Sequence, residues 1–244
     1  MRYPAFAEIK LDGEFNFIHY HEEEKKPIWT INKYGTTRQH FHDLKKMMYV
    51  LNGNKITSAV MLCELYWGQG KAGALYELLS HKKDDNVHIH VFDVLMVNDN
   101  VVDKLPLVER KEILWDMIGP WQILDKVCTD KNEAKTVFAN AVSQDYEGIV
   151  VKSLDSPLVL GPCSWVKMKN KDQNELTVSS ITPDKERIEV IHTTKTSGVI
   201  VGVKAPNRYK KHIKVGDIVT IEHQGVLPSG SLRHPVLIAK KEWK

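Results

Sequence analysis

The stretch Glu8-Ile9-Lys10-Leu11-Asp12-Gly13 decides how this chain reads. It closes one strand-like run, Ala5 to Lys10, and opens a second, Glu14 to Tyr20, with Asp12-Gly13 supplying the turn of an antiparallel hairpin between them. A lysine at the end of a strand, beside a turn and partly desolvated, is set to lose its proton and act as a neutral amine nucleophile. Standing alone, Lys-x-Asp-Gly more often marks a surface lysine next to a hairpin turn, so the rest of the chain has to decide.

Outward from that hairpin, Ile28 to Asn32 reads as a third strand. Thr36 to Leu51 carries Phe41, Leu44, Met48 and Leu51 at intervals of three and four, which predicts an amphipathic helix ending before Asn52-Gly53. Ser58 to Leu65 and Val87 to Val97 read as strands, and Gly70 to Leu79, Pro106 to Ile118 and Asn132 to Ser143 as helices. Pro106 is tolerated because it falls in a first turn. Gly148 to Lys152 is a short buried strand that follows the acidic Glu147. At Asn170 to Glu175 the chain turns polar, and five short strand-like segments follow: Leu176 to Ile181, Ile188 to His192, Val199 to Val203, Ile218 to His223 and Pro235 to Ala239. The fold class expected is α+β, with antiparallel sheets and helices over residues 1–171 and a small β-barrel of the OB type over 172–244.

A length of 244 residues suits one large and one small domain, and 42% apolar with 27% charged residues is an ordinary globular balance. No run approaches the roughly 18 to 20 apolar residues of a membrane span, and the N-terminus has no apolar signal core, so an intracellular monomer with no membrane partner is expected. Cys63, Cys128 and Cys163 lie far apart without CxxC spacing and are expected to be reduced thiols. Net charge is only +3, but the acids gather at Glu22, Glu23 and Glu24, while Lys204, Arg208, Lys210, Lys211 and Lys214 bias the last third toward phosphate contacts. Gly68 to Gly73 lacks P-loop spacing, and His40, His42, His88 and His90 lack accompanying ligands, so these are expected to be structural.

Four further segments follow the first in order: Leu62-Cys63-Glu64-Leu65, Val91-Phe92-Asp93-Val94-Leu95, Glu147-Gly148-Ile149-Val150-Val151-Lys152 and Trp165-Val166-Lys167-Met168-Lys169. Together they resemble the covalent nucleotidyltransferase superfamily of ATP-dependent DNA ligases, RNA ligases and mRNA capping enzymes, over nearly the whole chain. The resemblance implies an adenylation domain followed by an OB domain. It implies that Lys10 attacks the α-phosphate of ATP, that Glu8 reads the adenine amino group, and that Phe92 stacks on the base. Glu64 then serves the ribose or a metal, Glu147 binds the metal, and Lys167 and Lys169 hold the α-phosphate. Ile9, Asp12, Gly13 and Lys33 complete the expected nucleotide site. The chemistry needs such groups, because attack at phosphorus concentrates negative charge that Mg2+ and lysines neutralise. Glu64 and Glu147 offer hard oxygen ligands, and Lys167 and Lys169 alternate on a strand, which puts both heads on one face.

The tail, Val215 to Gly225 and then Pro228 to Val236, looks like the OB domain of DNA ligases with its arginine-x-proline element at Arg233. The implied partner is nicked duplex DNA, with Lys33, Arg38, Lys204, Lys210, Lys211 and Arg233 as contacts and a sliding clamp or other recruiting protein as a further partner. Three positions depart from the family pattern. Phe15 stands where an arginine is usual, Asn32-Lys33 where serine-arginine is usual, and Lys241 beside Lys240 where an arginine is usual. Phenylalanine has none of the bidentate donors of arginine, whereas Lys33 keeps the charge of the usual arginine but not its planar fork, and Arg38, a few residues later, is the candidate to compensate for that fork. Only nine residues precede Lys10, so no helical DNA-binding domain is expected ahead of it. An RNA ligase, a GTP-using capping enzyme, or a ligase-derived DNA-binding protein are the rival expectations.

Overall fold

Two antiparallel sheets make up the first of two compact units, Met1–Met168; the second unit is Lys169–Lys244. The computed structural model describes residues 1–67, 75, 79, 87–122, 125–161, 165–182, 187–193, 198–209, 212–227 and 229–241. The larger sheet is formed by β2 (Glu14–His21), β3 (Ile28–Asn32), β4 (Thr37–Arg38), β5 (Ser58–Trp67), β6 (Val87–Val97) and β7 (Asn100–Val101), in the order β4-β3-β2-β5-β6-β7. The smaller is formed by β1 (Ala5–Lys10), β8 (Asp125–Cys128), β9 (Gly148–Ser153) and β10 (Val166–Lys169), in the order β10-β9-β1-β8.

The expected hairpin at Asp12-Gly13 is therefore corrected: β1 and β2 lie in different sheets, β1 between β8 and β9, β2 between β3 and β5. The cause is a close approach at Gly13. A Cβ there would lie 2.0 Å from the carbonyl oxygen of Leu65, so only glycine lets the chain turn against β5 and pass from one sheet to the other. Lys10 ends up at the corner between them.

Side chains alternate along β2. Ile18 and Tyr20 enter the main core, while Phe15 and Phe17 pack on the opposite side with Leu62 and Phe92. Helix α1 (His42–Gly53) covers the core side through Leu44, Met47 and Leu51. It starts later than the periodicity predicts, because Thr37 and Arg38 pair with Ile31 and Thr30 and extend the sheet instead. Helix α2 (Leu107–Ile118), which begins after Pro106, also buries Leu114, Met117 and Ile118 in this core. Helix α3 (Lys131–Ser143) packs Ala134 and Ala141 on the smaller sheet, and the Asp130 carboxylate caps it by accepting the N–H groups of Asn132 and Glu133. The helix expected at Gly70 to Leu79 falls outside the described residues apart from Leu75 and Leu79.

In the second unit the polar run is no linker. Asp172 to Glu175 opens a ten-residue strand, β11 (Asp172–Ile181), whose first six residues pair with β14 (Ile218–His223). With β12 (Arg187–Thr193), β13 (Gly198–Lys204) and β15 (Val236–Lys240) these close into a ring of order β11-β12-β13-β15-β14, consistent with an OB fold. Val190, Val203, Val219, Ile221 and Leu237 fill its interior with no exposure. Cys63 and Cys128 are buried free thiols, and Cys163 lies outside the described residues. Among the described residues, no helix is long and apolar enough to cross a membrane.

Candidate active site

The register of β1 against β9 builds the centre of the site. Lys10 pairs with Gly148, so Glu147, one residue earlier, lies beside the lysine side chain, and its Oε2 is 2.5 Å from Lys10 Nζ. Glu64 reaches the same corner from β5 and accepts the Gly13 N–H at 3.1 Å. Its carboxyl is pushed up to about 7, by burial first; the nearby charges of Glu147 and Asp12 add to this, while Lys10 and the Gly13 N–H oppose it. Lys10 is thus surrounded by acid.

Next to this corner is a pocket of about 310 Å³. Ile9, Leu62, Phe92, Phe15 and Trp165 make its apolar walls, with Phe92 and Trp165 meeting edge to face at 6.1 Å. Glu8, Lys10, Glu64, Lys152 and Lys167 supply its polar lining. Dimensions and lining suit a flat, partly apolar ring carrying a charged tail.

Beneath the pocket lies a network of buried ions. Lys152 Nζ is 2.5 Å from Glu8 Oε2, Lys111 Nζ is 2.7 Å from Glu8 Oε1, and Lys111 continues to Asp125 Oδ2 at 3.1 Å. Burial alone would raise the Glu8 carboxyl, but the two ammonium groups outweigh it and hold Glu8 below the usual carboxylate range. Lys152 is held below the usual lysine range, chiefly by burial, and its ammonium lies 4.0 Å above the Trp165 ring and 4.7 Å above Phe92. Burial would likewise lower Lys111, but Glu8 and Asp125 outweigh that and raise it.

Several expected residues are not among those that line this pocket. Lys169 belongs to the second unit, where Nζ donates to Gln224 at 3.3 Å. Lys33 sits in an exposed turn, with its ammonium 4.9 Å above the Tyr34 ring. Asn32 before it shapes that turn by accepting the N–H groups of Tyr34 and Thr36. Arg38, the candidate to make up for the fork lost at Lys33, is itself engaged in an ion pair. Its guanidinium is held 2.6 Å from Glu14, on the helix-covered side of the sheet, whereas Phe15 faces the pocket. In the barrel, Lys204 is exposed at the end of β13, and Arg233 is half-buried, its backbone N–H donating to Gly225. Lys240 and Lys241 are engaged with Asp217 and Glu175. Lys210 and Lys211 lie outside the described residues.

Sequence reasoning passed over Lys111 and Asp125, noted Phe15 only as a missing arginine and not as part of the pocket wall, and singled out no role for Lys152 and Trp165. A signal existed for Lys111, which falls on the stripe Leu107, Lys111, Leu114, where a lone lysine on an apolar face needs a buried partner.

Residues 1–169 match the ATP dependent DNA ligase domain family, well over half the chain. The chain therefore belongs to the ATP-dependent DNA ligase family. The DNA ligase of Caldivirga maquilingensis is 25% identical over 182 residues, which is 68% of this chain and 30% of that protein. The DNA ligase of Sulfolobus acidocaldarius is 28% identical over 195 residues, 72% of this chain and 32% of that one. The chain thus spans about a third of the length of these curated relatives. In fold it is similar to a structure described as DNA binding with a minimal scaffold in Lig E DNA ligases, at TM-score 0.72 and 14% identity, covering 98% of this chain and 93% of that one. The ligase domain of LigD from M. tuberculosis aligns at TM-score 0.60 and 13% identity, covering 99% and 90%. These two likenesses bear on architecture, a minimal form with an adenylation-type unit followed by a five-strand barrel.

Proposed function

We propose that this protein is an ATP-dependent DNA ligase that seals nicks in duplex DNA through a lysine-AMP intermediate on Lys10. The observation that carries the reading is the convergence on one pocket of a lysine, its carboxylate partner Glu147, an aromatic wall at Phe92 and a second lysine, Lys167. Lys10 gives up a proton, for which Glu147 is the nearest acceptor, and its amine attacks the α-phosphorus of ATP. A nitrogen–phosphorus bond forms as the bond to pyrophosphate breaks. Phe92 stacks on the adenine, Glu8 accepts from its amino group, Ile9, Asp12 and Gly13 shape the nucleotide site, and Lys167 neutralises the α-phosphate. The 5′-phosphate of the nick then takes AMP from Lys10, and the 3′-hydroxyl displaces AMP to form the phosphodiester.

Mg2+ fits this donor set. Glu64 and Glu147 are hard oxygen donors that meet at the Lys10 corner, and they would hold the ion together with nucleotide phosphates. When bound, it supplies charge neutralisation at the phosphates. Lys169 joins Lys167 at the α-phosphate, and Lys33, Arg38, Lys204, Lys210, Lys211 and Arg233 are the proposed DNA contacts. Roles in repair, replication or recombination, an intracellular location and recruitment by a clamp belong to the same proposal.

One observation favours a second reading. Phe15 occupies the pocket wall, and among the described residues no arginine lines it, which suits a ligase-derived protein that binds nucleic acid without sealing it. Sealing of an end-labelled, singly nicked duplex with ATP and Mg2+, beside Lys10→Ala, separates the two. Joined product and labelled lysine-AMP from the wild type alone support the ligase; DNA binding with neither product supports the binder.

A further inference from the structure

We propose that Lys111 is a positioning residue for nucleotide selection: from helix α2, behind the pocket, it fixes the Glu8 carboxylate in the orientation that meets the exocyclic amino group of adenine. The inference rests on the reading of Glu8 given under the proposed function. Lys111 is 4% exposed and is no part of the pocket lining, yet its ammonium spans 2.7 Å to Glu8 Oε1 and 3.1 Å to Asp125 Oδ2. Lys152 takes the other oxygen, Glu8 Oε2, at 2.5 Å. With one lysine beside each oxygen, turning the carboxylate plane would pull an oxygen away from its ammonium partner. A carboxylate has about four acceptor positions, so those not used by the lysines remain for a base N–H.

The same arrangement sets the chemistry of selection. A carboxylate that stays ionised only accepts hydrogen bonds, so it welcomes the amino group of adenine and repels the carbonyl oxygen that guanine or hypoxanthine presents at that position. A protonated Glu8 would donate to that carbonyl and lose the distinction. Burial pushes Glu8 toward protonation, and Lys111 and Lys152 outweigh it. Stability is a weak reason for such a network, because well-packed apolar residues often match or exceed a buried ion pair. Asp125, on β8 in register with Glu8, anchors Lys111 from the neighbouring strand, so the network also holds the lysine in place.

The test measures lysine-AMP-type labelling of the protein with ATP, with purine riboside triphosphate, which lacks the amino group, and with inosine triphosphate, recording KM and maximal rate for each. The wild type should favour ATP over purine riboside triphosphate by about tenfold or more in KM, the usual worth of a hydrogen bond to a charged acceptor. In Lys111→Met the ATP KM should rise to that of the purine riboside nucleotide, so the ratio falls toward one while the maximal rate stays within a few-fold. Lys111→Arg should restore most of the ratio. If Lys111→Met does not fold, Asp125→Asn loosens the same lysine and should shift the ratio in the same direction by less.

A Lys111→Met protein that keeps the wild-type ratio, whether or not it is slower, overturns the proposal and leaves Lys111 a structural role. A wild-type ratio of one overturns it together with the role of Glu8. Failure of the wild type to form any lysine-nucleotide adduct would instead remove the nucleotidyl-transfer reading on which it rests.

Discussion

The pocket floor and the barrel surface use the same charged residue types in opposite settings. Beneath the pocket, the Glu8, Lys111 and Lys152 side chains are at most 5% exposed, and Arg110 and Asp93 are fully buried. On the barrel, Lys241 and Glu175 pair at 2.6 Å with about half of each side chain in water. A buried pair has given up its hydration and is costly to break, on the order of 3–5 kcal/mol when one partner is removed, whereas an exposed pair contributes about 0–1 kcal/mol. The difference teaches where geometry is fixed by charge. In the first unit charges hold side chains in place around a pocket; in the barrel they are replaceable, and salt weakens them.

The largest effect should follow from breaking the deepest pair. Arg110 Nε and Nη2 meet the two oxygens of Asp93 at 2.7 and 3.0 Å, and Nη1 donates to the carbonyls of Leu105 and Ser156. Asp93 follows Phe92 on β6, so the pair also steadies the proposed stacking ring. Arg110→Met should cost about 3–5 kcal/mol in urea unfolding, because it strands the Asp93 carboxylate in the core. A loss below about 1 kcal/mol would show that this charge is not what orders the first unit.

Gly13→Ala should cost less in stability and more in chemistry. The new methyl must clear the Leu65 carbonyl oxygen, so the corner shifts by a fraction of an ångström to an ångström, at about 1–3 kcal/mol. Lys10 moves with it, and misplacement on that scale is expected to slow lysine-AMP formation by roughly 100-fold. Unchanged labelling would mean that the corner does not position the nucleophile.

Local patterns made most of this fold legible. Alternation along Ile218–His223 and the apolar run at the start of Gly148 to Lys152 needed only their own residues to be read as strands. The helix stripe through Leu44 and Leu51 was equally visible, but its start was not, because pairing of Thr37 and Arg38 with β3 depends on a strand edge that a helical count does not see. Asp12-Gly13 misled for the same reason. Its local chemistry is that of a hairpin turn, and the contact that makes it a corner comes from Glu64 and Leu65, with Glu64 51 residues away. In the candidate site, Lys10, Glu64, Phe92 and Lys167 could be gathered from short motifs. Lys111 and Asp125 could not, since they act through Glu8 from separate elements and carry no motif of their own.

The smallest effect belongs to a partly exposed barrel pair, and its sign with pH distinguishes charge from packing. Burial would raise the Asp217 carboxyl, but its bonds to Lys240 Nζ and the Lys214 N–H outweigh this and lower it. A carboxyl depressed in the folded state leaves the unfolded chain binding more protons in the window between the two values. The stabilisation is therefore present above the ordinary aspartate value of about 3.9 and is lost as pH falls through the lower, folded value. Asp217→Asn keeps the shape and one acceptor but removes the charge. Its deficit should be under about 1 kcal/mol at pH 7, because about a fifth of each side chain remains in water. That deficit should shrink as pH falls through the depressed folded-state value, below which the wild-type carboxyl is itself protonated. Urea midpoints of both proteins across that range measure it. A deficit of equal size at both ends would assign the loss to packing and would remove the contrast drawn between the barrel surface and the pocket floor.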